Sequence, residues 1–255
     1  MGAAHTRGLY RPGSGPVYAL PAHVKIVAVV AFVFAVVATP ATAFPAFALH
    51  AGLILIAVRA ARLPAGFVLR RLTVELPFVA FALALPFFAA GERIVVYGLT
   101  LSEPGLVAAW NILAKGTLGV AAAVVLAATT RPYALLEGLQ RLRVPSIMVQ
   151  IATFMLRYAD LLTDDLRRMR IARESRAFTA RHLGHARIVA AGAGSLFIRG
   201  YERGERVHLA MLSRGYTGTL PDTGTVPATR RDWLFAAALP LLGALIAAGA
   251  LLGAA

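Results

Sequence analysis

The sequence predicts an all-α integral membrane protein with about five transmembrane helices and an additional helical region outside the bilayer. Three observations support this fold class. The 255 residues are 58% hydrophobic, and the mean hydropathy is +0.70. Only 15% of the residues are charged, whereas soluble domains carry about 25%. Several uncharged apolar runs also approach or exceed the roughly 20 residues that a helix needs to cross a bilayer.

Five apolar segments are the candidate spans. In chain order they are 24–38, 47–58, 72–90, 106–128 and 234–252. The second is short, and the third contains Pro77 and Pro86, which we expect to kink a helix whose neighbours satisfy the freed backbone groups. The first follows several basic residues, as a signal peptide would, but Pro40 is unfavourable at a cleavage site and more spans follow. We therefore expect a retained first helix.

The net charge of +14 is explained by the concentration of basic residues in the segments predicted to be cytoplasmic. Most arginines lie between Arg131 and Arg231, and cytoplasmic loops of membrane proteins carry an excess of Lys and Arg. This bias explains the charge without a nucleic-acid partner. It places the N-terminus, the 59–71 loop and the 129–231 region in the cytoplasm, and the 91–104 loop outside. The predicted location is the inner (cytoplasmic) cell membrane, which the chain crosses several times.

This topology divides the chain into three regions. Residues 1–130 hold the first four transmembrane helices, residues 131–231 form a cytoplasmic helical region, and residues 232–255 form the last transmembrane helix.

The cytoplasmic region contains two predicted amphipathic helices. The first begins with the apolar stretch Pro145–Leu162 and continues into a polar arm, where Asp164 precedes Arg168 by four residues, a favourable order for an ion pair. The second runs from about Ser195 to Leu212, with apolar and basic residues on different faces. Each helix ends near a short basic tripeptide. The tripeptides are Ser175-Arg176-Ala177 and Ser213-Arg214-Gly215.

Each tripeptide alone is compatible with an ordinary helix end, because a terminal arginine and a following glycine are common C-terminal caps. Their repetition at a spacing of 38 residues, each at the tip of a helix, favours a binding role. An arginine fork can donate to backbone carbonyls or to a carboxylate in a partner's groove. The pattern suits a partner with two equivalent grooves.

The sequence predicts no catalytic residues, no metal site and no cofactor. There are no cysteines. His182 and His185 have helical spacing, but a metal site needs further ligands that are not clustered nearby. The glycines at 192–194 match neither a phosphate-binding loop nor a hydrolase elbow, and they predict a turn or close packing between the two helices.

Two alternatives from other classes stay open. One is a membrane-embedded lipid or prenyl enzyme that uses Asp160, Asp164 and Asp165, although the adjacent arginines make ion pairing the simpler explanation. The other is an anionic-lipid-binding scaffold that uses the arginine-rich region.

A family resemblance rests mainly on two runs. They are SLFIRGYERGERV at 195–207 and AMLSRGY at 210–216. These runs resemble the transmembrane coupling subunit, or T component, of energy-coupling-factor (ECF) transporters, and in particular the CbiQ type of cobalt importers. Further similar segments lie at 97–100, 135–139, 142–145 and 157–158. The resemblance covers about Val24 to Gly218.

The resemblance implies a coupling subunit of an ECF-type ABC importer, without enzymatic activity of its own. In this family two Ala-Arg-Gly motifs on cytoplasmic coupling helices dock into grooves of a pair of ABC-type ATPase subunits. The matching residues are the two tripeptides; both arginines are kept, whereas Ala177 stands in place of a glycine. ATP hydrolysis would occur in the ATPase partners, and a separate substrate-binding membrane subunit, the S subunit, would capture the cargo. The implied cargo is cobalt, with nickel or a vitamin as alternatives.

Two further positions bear on the resemblance. The family often has Asp-Pro-Arg before its first span, where this chain has His23-Val24-Lys25, and no special function is assigned to these residues. Lys115 stands where family members often have a basic residue, and we expect it to pack or to reach a lipid headgroup.

Overall fold

A computed structural model describes residues 9–96, 99–176, 186–218 and 227–253. It divides into two compact units. The first, called the membrane unit, comprises Gly8–Gly138 and Val226–Ala255; the second, called the helix-pair unit, comprises Leu139–Thr225.

The membrane unit contains most of the helices. They are α1 (Pro16–Ala19), α2 (Ala22–Ala38), α3 (Phe44–Ala60), α4 (Ala65–Leu72), α5 (Leu76–Phe88), α6 (Glu103–Thr129) and α10 (Arg230–Leu252), with α7 (Pro132–Arg141) following α6 along the chain. Among the described residues, three stretches are long and apolar enough to cross a membrane: Ala65–Phe88, Glu103–Thr129 and Arg230–Leu252. The shorter apolar helices α2 and α3 match the first two predicted spans. The prediction of an all-α membrane protein is confirmed.

The third predicted span differs in detail from the expectation. A 3-10 turn, Thr73–Glu75, separates α4 from α5. Pro77 lies in the first turn of α5, where its missing N–H would have had no helical partner. Pro77 therefore starts a helix and does not kink one, whereas Pro86 lies inside α5 as expected.

The segment at 91–104, predicted as a plain loop, contains a β-hairpin. Strands β1 (Arg93–Val96) and β2 (Leu99–Ser102) pair antiparallel, with Arg93 opposite Ser102. Both strands are short, and β1 is rich in β-branched side chains, which favour extended backbone. Ser102 also begins α6, because its hydroxyl accepts a hydrogen bond from the Gly105 N–H.

The core of the membrane unit lies between α2, α3 and α6, with α10 packed along α2. Its largest fully buried side chains include Phe32 and His50. Gly243 lets α10 approach α2 closely, since a Cβ there would lie 3.1 Å from the Phe32 ring. Helix α10 begins with a capping box between Thr229 and Asp232, which satisfies two backbone donors that a helix start leaves free.

The helix-pair unit contains α8 (Ser146–Glu174) and α9 (Ala186–Leu212). At 1.5 Å per residue each helix is about 40 Å long. Helix α9 begins at Ala186, before the predicted start at Ser195, because it continues through Gly192 and Gly194. The predicted turn at these glycines is therefore wrong, whereas the alternative of close packing fits Gly192, where a Cβ would lie 3.3 Å from Met169 Cε of α8. An isolated glycine weakens a helix by only about 1 kcal/mol, which the packing of a long helix can offset.

Candidate functional site

The first tripeptide lies at the C-terminal end of α8. The Ser175 N–H donates to the Ile171 carbonyl at 2.9 Å, and the Ser175 hydroxyl donates to the Ala172 carbonyl at 3.1 Å. The Arg176 N–H donates to the Arg173 carbonyl at 3.1 Å. These bonds satisfy carbonyls that the end of a helix leaves without partners. They leave Arg176 at the exposed tip of the helix.

The second tripeptide ends α9 in a Schellman motif. Gly215 has a left-handed backbone (φ 82°). Its N–H donates to the Leu212 carbonyl, and the Tyr216 N–H donates to the Met211 carbonyl, both at 3.0 Å. This pair of bonds defines the motif, with Arg214 as the last residue before the left-handed glycine. Glycine adopts that conformation without the steric strain of a Cβ.

The two tips share the same local bonding. As at Ser175, the Ser213 hydroxyl donates to a carbonyl three residues earlier, that of Ala210, at 3.0 Å. The Arg214 N–H donates to the Met211 carbonyl at 3.0 Å, as Arg176 does to Arg173. Both arginines are exposed. Across the parts of the chain that the structure describes, neither guanidinium takes part in an ion pair or a hydrogen bond. Each tip therefore presents an arginine whose donors are available to a partner.

Three of the residues considered in the sequence lie outside the described residues. They are Ala177, His182 and His185.

The surroundings of the first tip contain an ion pair that the sequence analysis did not single out. Arg170 Nε donates to Glu174 Oε1 at 2.7 Å, and this hydrogen bond raises the pKa of Arg170. The predicted pair between Asp164 and Arg168 does not form in the described helix. Both of those side chains are exposed, and such pairs on a helix surface contribute only a few tenths of a kcal/mol.

Helices α8 and α9 pack antiparallel. Near one end, the buried Gln150 side chain accepts a hydrogen bond from the Tyr216 hydroxyl and donates through Nε2 to the Gly218 carbonyl at 2.8 Å. Towards the other end, Arg199 Nη2 lies 3.1 Å from Met169 Sδ. We call the Gln150–Tyr216–Gly218 bonds the end clamp. The antiparallel arrangement places the two arginine tips at opposite ends of the pair.

An apolar groove of about 610 Å³ lies between the two helices. Its walls include Met155, Tyr158, Leu162, Phe197 and Tyr201. Met155 and Phe197 are 68% and 73% exposed. Exposed apolar surface of this kind marks a contact with another protein or with a membrane.

The aspartates of the alternative enzyme interpretation form no visible site. Asp160 and Asp164 are exposed on α8, and Asp165 is half-buried on the same helix. Among the described residues, no group of three or more histidine, aspartate or glutamate side chains is arranged to hold a metal ion.

Three charged residues of the membrane unit have roles that sequence reasoning missed or left open. Lys25 Nζ donates to the carbonyl of Thr129 at 3.0 Å, and Lys115 Nζ donates to that of Val37 at 2.8 Å. Each lysine thus donates a hydrogen bond to a backbone carbonyl near the end of a neighbouring helix. Glu75, which is buried, accepts a hydrogen bond from the Thr117 hydroxyl at 3.0 Å. A charged residue inside an apolar segment was the available signal for Lys115 and Glu75.

Comparison with known proteins gives one matching family model, described as CbiQ, cobalt transport protein, over residues 13–225. The chain is 27% identical to the cobalt transport protein CbiQ of Rhodobacter capsulatus over 186 residues, which are 70% of this chain and 76% of that protein. It is 32% identical over 102 residues to an uncharacterised protein of Methanocaldococcus jannaschii, covering 40% of this chain and 38% of that protein. A second uncharacterised protein of that organism is 29% identical over 161 residues, which cover 60% of this chain and 55% of that protein. The alignments thus span less than two thirds of the two Methanocaldococcus proteins.

Proposed function

We propose that this chain, which belongs to the CbiQ family of cobalt transport proteins, is the transmembrane coupling subunit of an ECF-type ABC importer for cobalt. In this proposal the chain is not an enzyme. Its partners are two ABC-type ATPase subunits, which hydrolyse ATP, and a substrate-binding membrane subunit, which captures the metal. The chain transmits movement from the ATPase subunits to the substrate-binding subunit.

The observation that carries the proposal is the pair of matched arginine tips. Arg176 and Arg214 end two helices through the same set of local hydrogen bonds, and both guanidinium groups are exposed. A guanidinium presents five donors in a rigid fork, which fits carbonyl or carboxylate oxygens in a groove. Two such tips at opposite ends of one helix pair suit two ATPase subunits with equivalent grooves.

The end clamp supports transmission of movement. Through Gln150 it ties the residues just beyond the Arg214 tip to the first turns of α8. Because Gln150 is buried, its hydrogen bonds face little competition from water. When ATP binding brings the ATPase subunits together and displaces the two tips, α8 and α9 would therefore move together.

The apolar groove between α8 and α9 supports a contact with the substrate-binding subunit. Its exposed side chains, such as Met155 and Phe197, are apolar, and the methionine is also flexible, as expected of a surface that meets the apolar face of another membrane protein. Movement of the two helices would change the shape of this groove and so tilt or release the bound subunit.

The test is co-purification of the full chain with the ATPase pair of a cobalt importer after replacing Arg176→Ala and Arg214→Ala, singly and together. A hydrogen bond to a charged group contributes about 1.5–3 kcal/mol, so each single variant should weaken ATPase binding by about 10- to 100-fold. The double variant should lose the ATPase subunits during purification.

Arg168→Ala and Arg206→Ala are the matched controls. They remove the same charge from exposed positions on the same helices, away from the tips, and should leave the complex intact. Retention of the ATPase subunits by the double variant, or equal loss by the controls, would show that the tips are not the docking site.

A further inference from the structure

The membrane unit contains an apolar cavity that the coupling role does not use. It has a volume of about 280 Å³ and lies between α1, α2, α3, α6 and α10. Aliphatic and aromatic side chains dominate its walls, among them Val29, Leu53, Ile56, Leu126, Phe235 and Leu239. Such a lining fits a hydrocarbon chain.

One wall residue, Lys25, carries a charge. It is only 6% exposed, and its ammonium group has three N–H donors. Within the described part of the chain the Thr129 carbonyl is its one acceptor. A buried cation in a membrane protein is costly unless it is paired. An anion beside Lys25 would therefore stabilise this end of the cavity.

More positive charge lies at the same end of the bundle. Arg59 follows the wall residue Ile56 by three positions, and Arg231 precedes the wall residue Phe235 by four. Residues at these spacings share a helix face. Arg59 therefore lies on the cavity side of α3, next to the wall residue Ala60, and Arg231 lies one turn before the wall residue Phe235 on the cavity side of α10. Both are exposed and have no ion pair among the described residues. Lys25 is in the first turn of α2 and bonds to the last residue of α6, which places it at this end too.

We propose that this cavity binds an acyl chain of an anionic phospholipid, whose phosphate faces Lys25, Arg59 and Arg231. A peptide segment fits the cavity poorly, because Lys25 and Thr129 are the polar residues of its lining, and backbone N–H and C=O groups placed there would lack partners. An acyl chain needs no hydrogen bonds, and the negative headgroup matches the basic end. The lipid fills the space between α2, α3 and α10 and neutralises Lys25.

The test is native mass spectrometry of the full chain in neutral detergent. The two probes are phosphatidylglycerol and phosphatidylcholine with the same palmitoyl and oleoyl chains. Each basic residue near a lipid surface contributes about five-fold in affinity for an anionic lipid, so with three such residues phosphatidylglycerol should bind roughly 100-fold more tightly than phosphatidylcholine. Equal binding of the two lipids, or binding of neither, overturns the proposal.

Variants separate the cavity from general attraction to basic residues. Ala57→Leu fills the cavity without changing the charge, and it should reduce phosphatidylglycerol binding by about ten-fold or more, because each lipid methylene that it displaces from the cavity loses its burial. Ala80→Leu, the same change at an exposed position of α5, is the matched control. If the two variants bind phosphatidylglycerol equally, the cavity is not the site.

A double variant, Arg59→Gln combined with Arg231→Gln, tests the contribution of the positive charge. This variant should bind phosphatidylglycerol about 25-fold more weakly, and phosphatidylcholine unchanged. Unchanged phosphatidylglycerol binding would contradict the placement of the phosphate. The docking variants Arg176→Ala and Arg214→Ala should keep full lipid selectivity, so failure of the lipid proposal and failure of the coupling function can be told apart.

Discussion

Gly215→Ala tests the geometry of the better-defined arginine tip. Gly215 has φ 82°, and a Cβ at this position would meet nothing within 4 Å. The cost of the substitution is therefore conformational and does not come from a clash with neighbouring residues. Placing an alanine in the left-handed region costs about 1 kcal/mol, which is about a five-fold change in an equilibrium constant.

The expected readout is local. The substitution weakens the two bonds of the Schellman motif, from the residue 215 N–H to Leu212 and from the Tyr216 N–H to Met211. Amide hydrogen exchange of the full chain in detergent should therefore become about five-fold faster at positions 215 and 216. ATPase binding should weaken by no more than a similar factor, because the guanidinium of Arg214 is retained.

Gly194→Ala is the matched control with the opposite expected sign. Gly194 lies inside α9 and is exposed, and a Cβ there would also meet nothing within 4 Å. Alanine at this position should stabilise the helix by about 0.5–1 kcal/mol and slow the exchange of neighbouring amides. If Gly215→Ala also slows exchange, or leaves positions 215 and 216 unchanged, the Schellman termination of α9 is wrong and the tip has another shape.

Two further substitutions probe buried hydrogen bonds. Tyr216→Phe removes the donor to the buried Gln150 side chain; it should destabilise the end clamp by about 1–3 kcal/mol, detected as faster proteolysis and amide exchange after residue 212. Thr117→Val removes the hydroxyl that donates to the buried Glu75; it should lower the Tm of the detergent-solubilised protein by about 2–4 °C for each kcal/mol lost, and Thr117→Ser should restore it. An unchanged Tm for Thr117→Val, or unchanged proteolysis for Tyr216→Phe, would contradict the corresponding bond.

The helices were predictable where composition alone decides the structure. The five apolar segments are helical over most of their lengths, because an apolar run of that length has few other ways to satisfy its backbone in a membrane. The hairpin at 93–102 was missed because its strands are only four residues each, too short to show an alternating pattern. The start of α9 was placed too late because the glycine signal for a break is local, whereas contacts along the helix pair decide whether the helix continues.

The candidate site was predictable only in part, for a similar reason. The arginines and Gly215 could be picked out because helix ends have local signatures. The end clamp could not be, since Gln150 and Tyr216 are 66 residues apart and meet through tertiary packing. Lys25 likewise resembles an ordinary charge at the start of a span, and its bond to Thr129 joins residues 104 positions apart.

The antiparallel packing of α8 and α9 makes a specific demand on the partner. Two antiparallel helices of similar length are related by an approximate twofold axis, and in this pair the Ser-Arg step at each helix end makes the same three hydrogen bonds. A pair of ATPase subunits related by a twofold axis can therefore meet both tips in the same way. Once one tip is bound, the second binds in an intramolecular step. The affinity of the two contacts together therefore exceeds the affinity of either contact alone by about 10²- to 10⁴-fold. Loss of either Arg176 or Arg214 should thus give a complex that forms but dissociates faster. Loss of both should abolish it. If the two tips instead bound separate ATPase subunits independently, loss of one arginine would leave the dissociation rate at the other tip unchanged.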